Sequence, residues 1–149
     1  MFLTTGMLFV LVALGLVVWA TGLAALGAVH TALAWAAGRR AGDRGLVAAW
    51  LAATLVTGSA AVLWYTTPRQ TYLVSEYPPP HHAFRLALGL LVAAAGFGGT
   101  TAWVRRRIAR GTALGVGGAA VGGAVTVAAA VAAALVLSPL YVARVVLYP

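Results

Sequence analysis

The chain has 149 residues, 62% of them hydrophobic and only 8% charged, with a net charge of +8 and no cysteine. A water-soluble domain carries about 25% charged residues, and at this composition it would expose wide apolar patches. The missing thiols exclude disulfides, thiolate metal sites and cysteine nucleophiles. The balance points to a single-domain integral membrane protein. All ten basic residues are arginine. They lie at the edges of apolar runs, where arginine sets topology and touches lipid phosphates, so nucleic acid is not an expected partner.

In chain order, the first apolar run extends from Phe2 to Ala37 without a formal charge. It exceeds the roughly 20 residues of a perpendicular span. It also exceeds the apolar core of a signal peptide and lacks the basic start of one. A span over about 8–37 is expected, tilted or extended at its outer end. Arg39, Arg40, Asp43 and Arg44 follow, with Gly38, Gly42 and Gly45 as helix breakers. A second span is expected over 46–67, closed by Pro68. The outer loop, 68–83, carries Glu76 and then Pro78-Pro79-Pro80-His81-His82, a run that favours extended polyproline backbone. A third span is expected over 84–104, ahead of Arg105, Arg106, Arg107 and Arg110. The fourth is expected over 112–137, with Pro139 kinking or stopping it and an interfacial tail at 139–149.

These readings give an all-α membrane protein, a four-transmembrane-helix bundle. The two short loops hold seven arginines: Arg39, Arg40, Arg44, Arg105, Arg106, Arg107 and Arg110. The other side holds Arg69, Arg85 and Arg144. The positive-inside rule then puts the seven in the cytoplasm and both termini outside, in a cell membrane. Trp35, Trp50 and Trp103 mark the inner interface, and Trp64, Tyr65, Tyr72 and Tyr77 the outer one.

Small residues recur every four positions in the last run: Gly118, Gly122, Thr126, Ala130, Ala134 and Ser138. On a helix that spacing makes one face, and small side chains let two backbones approach in lipid. The face serves either packing within the chain or an interface with another subunit or a second copy. A weaker stripe runs through Gly15, Gly22, Ala25 and Gly27. His30 is the one ionisable side chain deep in a span, where polar groups are costly and often functional. It is the candidate for a haem ligand, a proton relay or an ion site, against the plainer reading of a hydrogen-bonded neutral ring. His81, His82 and Glu76 are the candidate metal ligands, although adjacent side chains diverge. Neither carboxylate, Asp43 or Glu76, falls in a span. That argues against proton-coupled transport and against paired-carboxylate catalysis, so neither an enzyme nor a resident cofactor is expected.

Gly96-Phe97-Gly98-Gly99-Thr100-Thr101 resembles the Gly-Phe-x-Gly-Gly-x-Thr-Thr stretch of small four-helix fluoride channels. Thr54-Leu55-Val56-Thr57-Gly58-Ser59 is loosely similar to part of their second helix. The resemblance implies a homo-oligomeric anion channel. The chain departs from that pattern in having no asparagine, in Ala102 and Trp103 after the paired threonines, and in His30 where that family has arginine. Three functions follow as expectations. The first is a non-catalytic subunit of a larger membrane assembly, offering helix-packing and lipid-facing surfaces. The second is a small channel or transporter lined by Thr54, Thr57, Ser59, Thr100 and Thr101. The third is a cofactor-binding redox subunit built on His30.

Overall fold

The computed structural model describes residues 5–66 and 79–143. Those residues are almost wholly helical. In hydrocarbon every backbone N–H and C=O must be paired within its own segment, and a helix does this residue by residue. Three helices form: α1, Thr5–Thr66; α2, Pro79–Ala109; and α3, Val116–Tyr141. Each contains a stretch long and apolar enough to cross a membrane: Phe9–Ala60, Ala83–Ala109 and Val116–Tyr141. The protein is membrane-embedded and all-α.

The expected four-helix bundle is overturned: the described residues form three helices. The two expected spans 46–67 and 8–37 both fall within α1, because the residues on each side of Gly42 stay helical up to that single kink. Only Gly42 leaves the helical region, at φ 57° and ψ −140°. The chain bends back at this single residue. Leu26, Val29 and Leu33 on one side of it then face Ala49, Ala53 and Val56 on the other. Gly38 and Gly45, read as breakers, remain helical and serve close packing. A Cβ on Gly38 would stand 2.8 Å from Leu46 and 2.7 Å from Ile108. We call residues 5–41 the N-terminal limb of α1 and residues 43–66 its C-terminal limb.

Other boundaries move too. α2 begins at Pro79, inside the expected outer loop. Proline is tolerated in a first helical turn, whose N–H groups have no intrahelical partner. Beyond Ala109 the chain turns at Gly111, at φ 67°, and α3 starts at Val116 rather than near residue 112. Pro139 neither stops nor shortens α3, which continues to Tyr141. Proline removes the N–H that would have bonded the Leu135 carbonyl four residues earlier. The Ser138 hydroxyl donates to that carbonyl instead, at 2.8 Å. The expected interfacial tail therefore starts as helix, and residues 144–149 lie outside the described ones, as do Arg69 and Glu76.

The two arginine groups come together at one end. Arg105 donates to Asp43 at 2.7 Å, joining the end of α2 to the bend of α1. Below them Ala34, Leu46 and Val104 form a buried cluster, flanked by Trp35, Trp103 and Ile108. Trp35 stacks with Arg39 and Trp103 with Arg107, at 5.9 and 5.1 Å from guanidinium to ring centre. Trp50, expected in the same aromatic belt, turns inward, and its indole N–H donates to the Ala94 carbonyl at 2.9 Å. The opposite end is looser: Arg85 stacks on Tyr141 at 5.8 Å, and the first part of α1 stands apart.

A side chain at Gly42 must adopt a backbone conformation that costs about 1–3 kcal/mol. Gly42→Ala is expected to lower the unfolding free energy by that amount in a detergent-denaturation titration followed by circular dichroism. Unchanged stability would show that the bend does not depend on this conformation.

Candidate functional site

The polar groups buried at depth lie where the three helices meet. Each helix brings a glycine followed four residues later by a threonine: Gly27 and Thr31 on α1, Gly96 and Thr100 on α2, Gly122 and Thr126 on α3. All six residues are buried, and the three threonines have no exposed surface. A residue four positions on lies above the same face, so glycine opens a gap and threonine fills the gap opposite. A Cβ on Gly27 would stand 2.6 Å from the Cβ of Thr126, and one on Gly122 would stand 2.7 Å from Thr31 Cγ2. A Cβ on Gly96 would meet the Thr126 carbonyl at 3.1 Å and Ala130 at 3.3 Å. Gly99 adds a fourth such approach, to Ala129.

Hydroxyls would be costly here if unpaired. Thr31 donates to the Gly27 carbonyl at 2.7 Å. Thr126 and Thr100 both reach the Gly122 carbonyl, at 3.0 and 3.1 Å, and their hydroxyl oxygens stand 2.5 Å apart. Each hydroxyl has one proton. One of the two therefore donates to the carbonyl while the other donates to its neighbour's oxygen. The pair ties α2 to α3 with no polar atom left over.

His30 lies beside this junction, 2% exposed. Its ring meets Phe97 edge-on, with centroids 5.1 Å apart. Thr101 donates to the Phe97 carbonyl at 2.9 Å, which uses its only proton. The 3.0 Å contact between His30 Nε2 and Thr101 Oγ1 is then a bond that the ring donates. In the neutral ring this leaves Nδ1 as an acceptor, buried and without a partner among the described residues. His30 and Phe97 also border a cavity of about 220 Å³ between the two limbs of α1, walled by aliphatic side chains and Thr57.

These positions bear on each candidate site. Gly122, Thr126 and Ala130 face inward against the chain's own helices, and Gly118 is covered by Leu114 and Arg107. Ala134 and Ser138 are exposed, so the stripe divides along its length. His30 finds a threonine. His81 and His82 lie 20 and 19 residues before Thr101 on α2, roughly 30 Å along the axis. No three acidic or histidine side chains gather among the described residues, and Glu76 lies outside them. The threonines suggested as a polar path go to different places, and Thr54 holds a buried hydroxyl without a partner among the described residues. Thr100 joins α3, Thr101 joins His30, and Thr57 borders the cavity. Ser59 is exposed. Gly96, Gly99 and Thr100, which carry the channel-like stretch, are occupied in helix contact. Sequence reasoning missed Thr31 and the inward Trp50. The repeated glycine–threonine spacing on all three helices was the signal for the former.

No family model matches the chain, and neither a curated protein nor a solved structure matches it.

Two substitutions separate packing from hydrogen bonding at the junction. Gly122→Ala is expected to cost about 1–3 kcal/mol of stability, because the added methyl overpacks Thr31. Thr100→Val keeps the shape and removes one hydroxyl, with an expected cost of about 0.6–2 kcal/mol. Denaturation of both variants in the same detergent checks the order. A Gly122→Ala variant as stable as the parent would show that the three helices do not pack this closely.

Proposed function

We propose that the protein is a non-catalytic membrane subunit whose N-terminal limb docks on another transmembrane polypeptide of a larger assembly. The carrying observation is the state of that limb. From Gly6 to Trp19 every described side chain is exposed, including Phe9 at 72% and Val18 at 71%. Gly15 and Gly22 have open space where a Cβ would stand, whereas Gly27 on the same limb is filled by Thr126.

Length makes this exposure a physical problem. From Met7 to Ala37 the limb has no charged residue, and at about 1.5 Å per residue it is roughly 46 Å long. A hydrocarbon core of about 30 Å accommodates that only at a tilt near 50°, beyond the 0–40° of membrane helices. The limb's lower half is also fixed by the junction at Gly27 and Thr31. Part of the apolar upper half thus lies beyond the hydrocarbon, where protein is the cover that suits it. Lipid or water alone does not satisfy a helix apolar on all sides at that height.

The same junction speaks against a conduction path through one chain, since the three helices close on each other at mid-depth with fully paired hydroxyls. The arginine end faces the cytoplasm in this proposal, by the excess of arginine there.

In mild detergent the protein is expected to co-purify in fixed stoichiometry with a membrane partner, seen by native mass spectrometry. Removing residues 1–19 is expected to release the partner while the remaining chain stays folded. A stable monomer without any partner, extracted gently from its own membrane, would sink the proposal. For orientation, the chain has no native cysteine. A single cysteine at Thr112 is expected to react with an impermeant maleimide only after the cells are opened, and labelling of intact cells would reverse the assignment.

A further inference from the structure

We propose that the groove between the C-terminal limb of α1 and the last part of α2 binds one anionic glycerophospholipid, its phosphate on Arg105 and its acyl chain against the groove wall. The groove is a cavity of about 340 Å³ with Asp43 and Arg105 at its mouth. Its wall is formed by Leu46, Val47, Trp50, Gly98 and Ala102. From Arg105 down to Gly98 is seven residues of helix, about 10 Å, which suits the upper part of an acyl chain.

The wall presents no spare polar hydrogen. The Trp50 indole donates to Ala94, and the Thr101 hydroxyl, also on the groove, donates to Phe97. An apolar chain therefore displaces nothing that needs water. Gly98 leaves the wall open, since a Cβ there would meet only Trp50, at 3.5 Å.

The mouth has the opposite chemistry. Arg105 is 66% exposed and gives Nη2 to Asp43. A guanidinium has five N–H donors, so one face of it remains for a phosphate oxygen. Arg40, Arg44 and Arg106 are exposed at the same end. Arg105 with these three against one aspartate selects an anionic headgroup over a zwitterionic one. Free phosphate would find the charge but leave the apolar wall unused. The site lies at the other end of the protein from the exposed limb and does not depend on the assembly proposal.

The test is native mass spectrometry of the delipidated full chain in detergent, titrated with dioleoylphosphatidylglycerol. One lipid per chain is expected to bind, with dioleoylphosphatidylcholine about tenfold weaker. Arg105→Gln is expected to weaken binding about tenfold. Ala102→Trp, which fills the groove, is expected to do the same, and Val47→Trp fills it from α1 should the first variant fail to fold. Arg110→Gln removes equal charge away from the groove and is expected to stay within about twofold. Asp43→Asn frees Arg105 and is expected to tighten binding about threefold, where a purely structural role for the ion pair would weaken it. Inorganic phosphate is expected not to compete. The proposal is overturned if phosphatidylcholine binds equally, if Arg110→Gln matches Arg105→Gln, if the groove-filling variants bind normally, if Asp43→Asn weakens binding, or if inorganic phosphate displaces the lipid.

Discussion

Helices in lipid gain little from hiding apolar surface from one another, because the surrounding chains are as apolar as leucine. Their association rests on close van der Waals contact and on pairing the few polar groups they carry. In this protein both needs meet at one junction, where a glycine and a threonine four residues apart recur on α1, α2 and α3. The glycines bring backbones together and the threonines fill the space facing them. The hydroxyl protons go to carbonyls within the same junction or to a neighbouring hydroxyl. The rest of the architecture is arranged around this point. The arginine-bearing turns lie on one side of it, and the looser ends of the helices on the other.

That arrangement divides the molecule by the tightness of its packing. Between the junction and the arginine end, Ala34, Leu46 and Val104 are buried and tryptophans are held under guanidinium groups. On the other side, the N-terminal limb from Gly6 to Trp19 leaves every described side chain exposed. His30 stands where the two regimes meet, with one ring nitrogen committed to Thr101 and a small cavity beside it. A histidine at such depth invites a reading as a cofactor ligand. Through Nε2 and the ring edge it links α1 to Thr101 and Phe97 of α2, while Nδ1 has no partner among the described residues.

The membrane character of the chain was legible from composition, and the period of four in the last helix showed a face of small residues without saying which part of it turns inward. What escaped were features that depend on three-dimensional pairing. Three glycines flank the first arginine turn, and nothing local distinguishes Gly42, which bends the chain, from Gly38 and Gly45, which pack. Pro139 reads as a stop, because the hydroxyl that compensates for it belongs to Ser138 and acts only in a helix already formed. Thr31 carried a signal, the glycine–threonine spacing shared by all three helices, but its counterpart, Gly122, is fixed only by the packing. The periodicity of one helix shows a face; which face another helix supplies is not written in either sequence segment alone.

The bend at Gly42 has a mechanical consequence. A hairpin with a long loop lets its arms slide, tilt or separate, since the slack absorbs the change. Here the reversal occupies one non-helical residue, and α1 continues on both sides of it. With no loop to take up slack, the angle between the two limbs at the arginine end is set by the φ and ψ of that one residue. Any reorientation of one limb against the other must therefore be taken up by rotation about the backbone bonds of Gly42, under the arginines.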